Sequence, residues 1–213
     1  MPRLVDLASW PRRPHYEFFR AFEQPFWNVC FDVDVTRLVE CCRAPGGPSL
    51  FLSSLHLSLS AINAVENLRY RLRDGAVVEH DVVHGGSTVL RPDQTFAFAY
   101  FDYHPSFPVF QAAGREVLAA VKEGPPRLEP RPERDDMIHY SVLPWLSFSS
   151  FTHARRDEGG DSVPRVVLGR FTQKEGRERM PVSIEVHHAL VDGLHVGRFA
   201  ELLQSLLDDP VLS

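Results

Sequence analysis

Residues Ser183–Phe199 read "SIEVHHALVDGLHVGRF", with three histidines, an aspartate and two glycines between an apolar run and a helix-like run. In the preceding "PVSIEVHH" the apolar period is two. Val182, Ile184, Val186 and His188 point one way, and Ser183, Glu185 and His187 the other. Asp192 and Gly193 turn the chain. Phe199, Leu202, Leu203, Leu206 and Leu207 then recur at 3–4 spacing, the buried stripe of an amphipathic helix. The unit is a strand, a tight loop and a helix, with His188 carried at the strand's end, a rigid mount for a side chain. Metal ligation by His187, His188, Asp192 and His195 is disfavoured, because the paired histidines face opposite sides and no helical His-x-x-x-His pair exists. Two readings stay open. One is a satisfied core histidine beside a capping aspartate. The other is a general base whose neutral imidazole takes a proton from a substrate hydroxyl or thiol.

Working outward, "DVTRLVECC" (Asp34–Cys42) reads as a helix stopped by "APGGP". Phe51–Leu68 reads as one long helix with its Ser, His and Asn residues on one face. "GAVVEHDVVHGG" reads as a hairpin or strand pair, and "TFAFAYFDY" as a strand covered on both faces. Pro108–Glu123 is a helix candidate, and "EGPPRLEPRPERDD" is a surface loop. "MIHYSVLPWLSFSSF" and "PRVVLGRFT" read as strands, and "GRER" as a turn before the last strand, "MPVSIEVHH". "GLHVGRFAELLQSLLDD" is the last helix. Interleaved helices and strands predict a mixed sheet with helices packed against it, in one domain over residues 1–213.

Bulk properties narrow the function. The 213 residues are 44% hydrophobic and 24% charged, enough apolar material for a real core. A net charge of -5 offers no basic footprint for nucleic acid. No apolar run approaches the ~20 residues of a membrane span, and the N-terminus lacks a secretory pattern. Cys30, Cys41 and Cys42 form neither a paired framework nor a Cys-x-x-Cys motif, so reduced thiols and a cytoplasmic location are expected.

Set beside these readings, "VHHALVDGLHVGRF" resembles the signature of the chloramphenicol acetyltransferase family, His-His-x-x-x-Asp-Gly followed by Phe/Leu-His-Val. Other segments are similar in the same order: "WPRRPHYEFF", "LRYRLRDGAVVEHDVVHGGSTVL", "LPWLSFSSF" and "PVSIEVHHA". The resemblance implies a two-layer α/β sandwich, chloramphenicol acetyltransferase-like, assembled as a homotrimer with active sites at subunit interfaces. It implies an acyltransferase with acetyl-CoA as co-substrate, no bound cofactor or metal, and chloramphenicol as the default acceptor, hence a role in antibiotic resistance. His188 would be the general base and Ser150 the hydrogen-bond donor to the tetrahedral oxyanion. Asp192 would pair with Arg12 to hold the histidine loop, a rigid use of an arginine–carboxylate pair. Phe18, Phe19, Glu23, Phe96, Asp161 and Val167 would line the acceptor pocket, and Phe171 would contact CoA.

The acceptor side departs from the family pattern. Phe19 stands where members carry Tyr, Glu23 where a leucine contacts the drug, "DSVP" where an aromatic pair precedes Ala-Pro, and Val167 where a threonine acts. Glu23 and Asp161 would make the pocket rim more polar than a nitrophenyl ring prefers. The alternative is therefore acetyl transfer to another, more polar alcohol or amine. A non-catalytic oligomeric scaffold is disfavoured because Arg12, Ser150, His188 and Asp192 occur together. Two relatives share His-x-x-x-Asp-Gly. A dihydrolipoamide acyltransferase core would follow lipoyl domains, and a condensation domain would need about twice this length.

Overall fold

The computed structural model describes residues 2–125, 128, 134–155 and 161–212. Half of the proline-rich loop expected from Glu123 to Asp136 lies outside those residues. In chain order the elements are β1 (Arg3–Leu4), α1 (Arg13–Phe19), β2 (Phe26–Asp34), α2 (Thr36–Arg43), α3 (Leu50–Asn63), a 3-10 turn (Glu66–Arg69), β3 (Tyr70–Arg73), β4 (Ala76–Glu79), β5 (His84–Leu90) and β6 (Phe96–Phe101). There follow α4 (Phe107–Glu123), β7 (Met137–Leu143), β8 (Arg165–Gly169), β9 (Thr172–Lys174), β10 (Arg177–His187) and α5 (Gly193–Asp208).

The main sheet runs β2-β10-β8-β7-β5-β6, with β9 added to β10. β7 pairs in parallel with β5 and β8, and the other neighbours are antiparallel. The fold is the mixed α/β sheet with helices against one face that the interleaved pattern predicts. Ile138, Tyr140, Val166, Leu168, Val182, Ile184 and Val186 bury their side chains on the helix side, against Leu52, Leu55, Ile62, Phe199 and Leu203. The period of two in β10 fixes which residues reach that core. Its other face, called the outer face here, carries one registered row across six strands: Tyr100, Gly86, His139, Arg165, Glu185 and Asn28.

Several expectations are corrected. The helix expected over Phe51–Leu68 stops at Asn63 and a 3-10 turn follows. Its polar residues do not share a face. Ser53, Ser54, His56 and Ser58 are all buried, because the sheet, α4 and α5 surround the helix. Partners make that burial tolerable: Ser58 bonds the Tyr140 hydroxyl at 2.9 Å and His56 Nε2 meets the His104 carbonyl at 3.0 Å. "GAVVEHDVVHGG" does not fold back on itself. Ala76–Glu79 pairs with Tyr70–Arg73 in a small three-stranded sheet, through a turn where Asp74 and Gly75 both have positive φ, while His84–Leu90 joins the main sheet. The "TFAFAYFDY" strand is a sheet edge covered on one face: Ala97, Ala99 and Phe101 are buried and Phe96 is 49% exposed. The strand beginning "MIHYSVL" ends at Leu143, so "PWLSFSSF" is irregular and Ser150 is not a sheet residue.

α4 approaches α3 closely at Gly114, where a Cβ would come within 2.7 Å of Leu52 Cδ2. Leu52 is fully buried and has no room to retreat. Gly114→Val is expected to destabilise the fold by about 1–3 kcal/mol through overpacking, read as a lower denaturant midpoint with an unchanged slope.

Candidate active site

β10 delivers His188 to the end of the sheet beside β2, where its backbone N–H donates to the Pro25 carbonyl at 2.8 Å. Its imidazole lies flat on Phe19 of α1, ring centroids 3.9 Å apart and planes 3° from parallel. Trp27 of β2 tilts against it at 5.3 Å. Nδ1 of His188 is buried and has no hydrogen-bond partner among the described residues. Two aromatic rings and one backbone bond therefore fix the ring's plane, and no carboxylate touches it.

The loop after the histidine is held carbonyl by carbonyl. Leu190 and Val191 N–H groups both donate to the His187 carbonyl at 3.0 Å. Arg12 Nη2 donates to the His188 carbonyl at 3.0 Å, and Asn67 Nδ2 to that of Leu190 at 3.0 Å. Trp27 Nε1 donates to the Val191 carbonyl at 3.3 Å. Arg12 also forms an ion pair with Asp192, so one guanidinium ties the backbone of the loop after β10 to the N-cap residue of α5. Asp192 caps α5, accepting from Leu194 N–H at 3.1 Å, while His195 Nδ1 accepts from the Asp192 N–H at 3.1 Å. This is a capping box with histidine in the position glutamate usually fills. The Asp192 carboxylate is thus committed to Arg12 and the helix start.

Burial would raise the Asp192 carboxyl, but hydrogen bonding and charge from Arg12 outweigh it, and the group lies below its ordinary range. His187 points to the outer face, is buried, and accepts from Ala189 N–H at 3.2 Å. Burial pushes its imidazole down to about 4, so it stays neutral at pH 7.

The residues read from sequence as one site fall into two groups. Phe18, Phe19, Arg12, His188 and Asp192 gather at the β2 end of the sheet, with Phe18 62% exposed. Val167 lies on the outer face, and Phe96 on β6, the opposite sheet edge. Ser150 is exposed on the irregular segment after β7. Glu23 is exposed. Asp161 is not a free rim carboxylate: Arg165 donates to it at 2.7 Å and Arg155 at 3.3 Å. Phe171 is half-buried beneath the Arg43 guanidinium, 5.8 Å from its ring centroid. Sequence reading missed Trp27, Asn67 and Pro25, whose parts are played through backbone contacts that no local motif signals.

The two-layer fold, with a histidine presented at the end of its sheet, is that of an acyltransferase. Residues 2–204 match the family model described as chloramphenicol acetyltransferase. A chloramphenicol acetyltransferase of Streptomyces acrimycini is 33% identical over 98% of this chain and 96% of its own. One from Escherichia coli is 28% identical, covering 96% and 93%. A solved chloramphenicol acetyltransferase superposes with a TM-score of 0.90 at 28% identity, over 97% of this chain and 100% of that one. The chain belongs to the chloramphenicol acetyltransferase family. An Azotobacter vinelandii dihydrolipoamide acetyltransferase shares the fold, with a TM-score of 0.68 at 17% identity over 87% and 82% of the two chains. Among the described residues no helix is long and apolar enough to cross a membrane.

Asp192→Asn keeps the cap but removes the charge that Arg12 holds. The folded-state carboxyl is depressed, so its stabilisation is present above the ordinary carboxylate range and is lost as pH falls through its lowered value. The variant is expected to unfold at a lower temperature than the parent near pH 7, with the gap closing below about pH 4; thermal melts at both pH values check this.

Proposed function

We propose that the chain transfers the acetyl group of acetyl-CoA to a hydroxyl of chloramphenicol, inactivating the antibiotic, with His188 as general base. The observation that carries this reading is the His188 imidazole stacked on Phe19, its Nδ1 buried and its loop pinned by Arg12. That arrangement leaves Nε2 as the nitrogen to meet an acceptor. Nε2 removes the hydroxyl proton as the oxygen attacks the thioester carbonyl. A tetrahedral oxyanion forms and accepts a hydrogen bond from the Ser150 hydroxyl. Collapse breaks the carbon–sulfur bond, and the imidazolium returns its proton to the CoA thiolate. Neither an acyl-enzyme nor a metal takes part. Arg12 and Asp192 hold the loop and exchange no proton with the substrate.

The protein acts as a cytoplasmic homotrimer, each site shared between copies. The placement of Phe96 on β6, four strands from the β10 that carries His188, supports this, as do exposed Phe18, Trp145 and Leu146. Phe171 contacts CoA, and Phe18, Phe19, Glu23, Phe96 and Val167 line the acceptor space. A second reading keeps the chemistry and changes the acceptor to a more polar alcohol or amine. The exposed Glu23 and the missing hydroxyl at Phe19 favour it, whereas Asp161, neutralised by two arginines, no longer does.

Thiol release from acetyl-CoA, with and without chloramphenicol, tests both. Release that requires chloramphenicol and falls about 10²–10⁴-fold in His188→Ala is the expected result. A folded protein with no chloramphenicol-dependent release would support the second acceptor class. Ser150→Ala is expected to lower kcat about 10²–10³-fold with little change in KM; a pure KM effect would remove the oxyanion role.

A further inference from the structure

After β7 ends at Leu143 the chain is irregular through Arg155, and Ser150 lies on this segment. Among the described residues, Ser147–Arg155 make no backbone–backbone hydrogen bond. Side chains fix the segment instead. On one side of Ser150, the Phe148 ring lies over Gly169, where a Cβ would sit 2.8 Å from Cε1. Phe148 packs against Phe151 at 5.8 Å, and Phe151 against His153 at 4.9 Å. On the other side, Arg155 donates from both Nε and Nη2 to Oε1 of Glu185 and from Nη1 to Asp161, while its guanidinium covers the Phe26 ring.

Glu185 sits on β10 three residues before His188, with its side chain 8% exposed. The carboxylate is anchored in β10, which is paired on both sides by β2 and β8, and the guanidinium is anchored in the segment that carries Ser150. A planar fork gripping a buried carboxylate has little orientational freedom. The ion pair therefore references the position of Ser150 to an interior strand of the sheet.

We propose that Arg155 and Glu185 are a positioning pair for the Ser150 hydroxyl. The inference rests on the reading of Ser150 as the oxyanion donor. Neither charged residue touches a reacting atom. Each acts through the placement of the serine, where a displacement of about 1 Å costs on the order of 10²-fold in rate.

A merely structural ion pair would weaken the fold and lower activity equally whether or not the serine is present. A double-mutant cycle separates the two cases. In the full chain, kcat and both KM values would be measured for Arg155→Met, Ser150→Ala and the double variant, alongside thermal unfolding. Arg155→Met is expected to lower kcat about 10–10²-fold with the KM for acetyl-CoA unchanged. In the Ser150→Ala background the same substitution is expected to lower kcat no more than about twofold, because the group it positions is gone. Equal fold-losses in both backgrounds would overturn the proposal. Should Arg155→Met fail to fold, Glu185→Gln, of the same shape, goes through the same cycle, with Arg155→Lys expected to restore part of kcat. A Ser150→Ala variant with unchanged kcat would instead show the oxyanion assignment itself to be wrong, and the positioning pair would fall with it.

Discussion

A single guanidinium holds together the loop between β10 and α5. Arg12 stands just before α1, far from His188 and Asp192 in sequence, yet it bonds the carbonyl of the first and the carboxylate of the second. Residue 12 can do this because Arg13–Phe19 folds over the β2 end of the sheet and lays Phe19 on the imidazole. The cation therefore serves three structural features at once: the exit of β10, the start of α5 and the seating of α1. Its side chain is 10% exposed and that of Asp192 is 30% exposed, so water screens the pair less than an ordinary surface bridge. Remove the Asp192 charge, and a largely buried guanidinium loses its counter-ion; remove Arg12, and the His188 carbonyl loses its donor as well.

The second constraint is the division of labour between the two sheet faces. Val182, Ile184 and Val186 sink into the helix layer, while Ser183, Glu185 and His187 between them face the outer side. Alternation gives one strand two unrelated tasks. The inner residues fix the strand in the core, and the outer residues receive the chain that returns from β7. The registered row from Tyr100 to Asn28 shows that the outer face is ordered across the sheet, with Gly86 leaving space beneath Tyr100.

The strand–loop–helix unit from Pro181 to Asp208 was legible, because period two, a turn and period 3–4 follow one another without conflict, although β10 already begins at Arg177, inside the "GRER" stretch read as a turn. The Arg12–Asp192 pair entered through family resemblance, since nothing local links residues so far apart. The α3 polar residues misled because a helix surrounded on every side has no solvent face for its serines. The strand of Met137–Leu143 was extended too far because "PWLSFSSF" keeps an apolar rhythm, but Phe148 and Phe151 stack on the outer face without joining a ladder. Asp161 has two arginine partners, Arg165 four residues on and Arg155 six residues back, and the sequence pattern did not signal either pairing. Trp27 and Asn67 act by donating to main-chain carbonyls, a role any donor of the right reach could fill and no motif records.

The alternation in β10 also restricts how the gene can vary. A substitution on the outer side changes what the strand holds without moving the histidine. Losing or gaining one residue anywhere from Arg177 to Ile184 would turn every later side chain over, sending Glu185 into the hydrocarbon layer and the imidazole to the wrong side. Point changes can retune this strand, whereas a single-codon insertion or deletion would erase core and chemistry together. New specificities on this scaffold must therefore arise by substitution within β10, or by changes of length in the loops outside it.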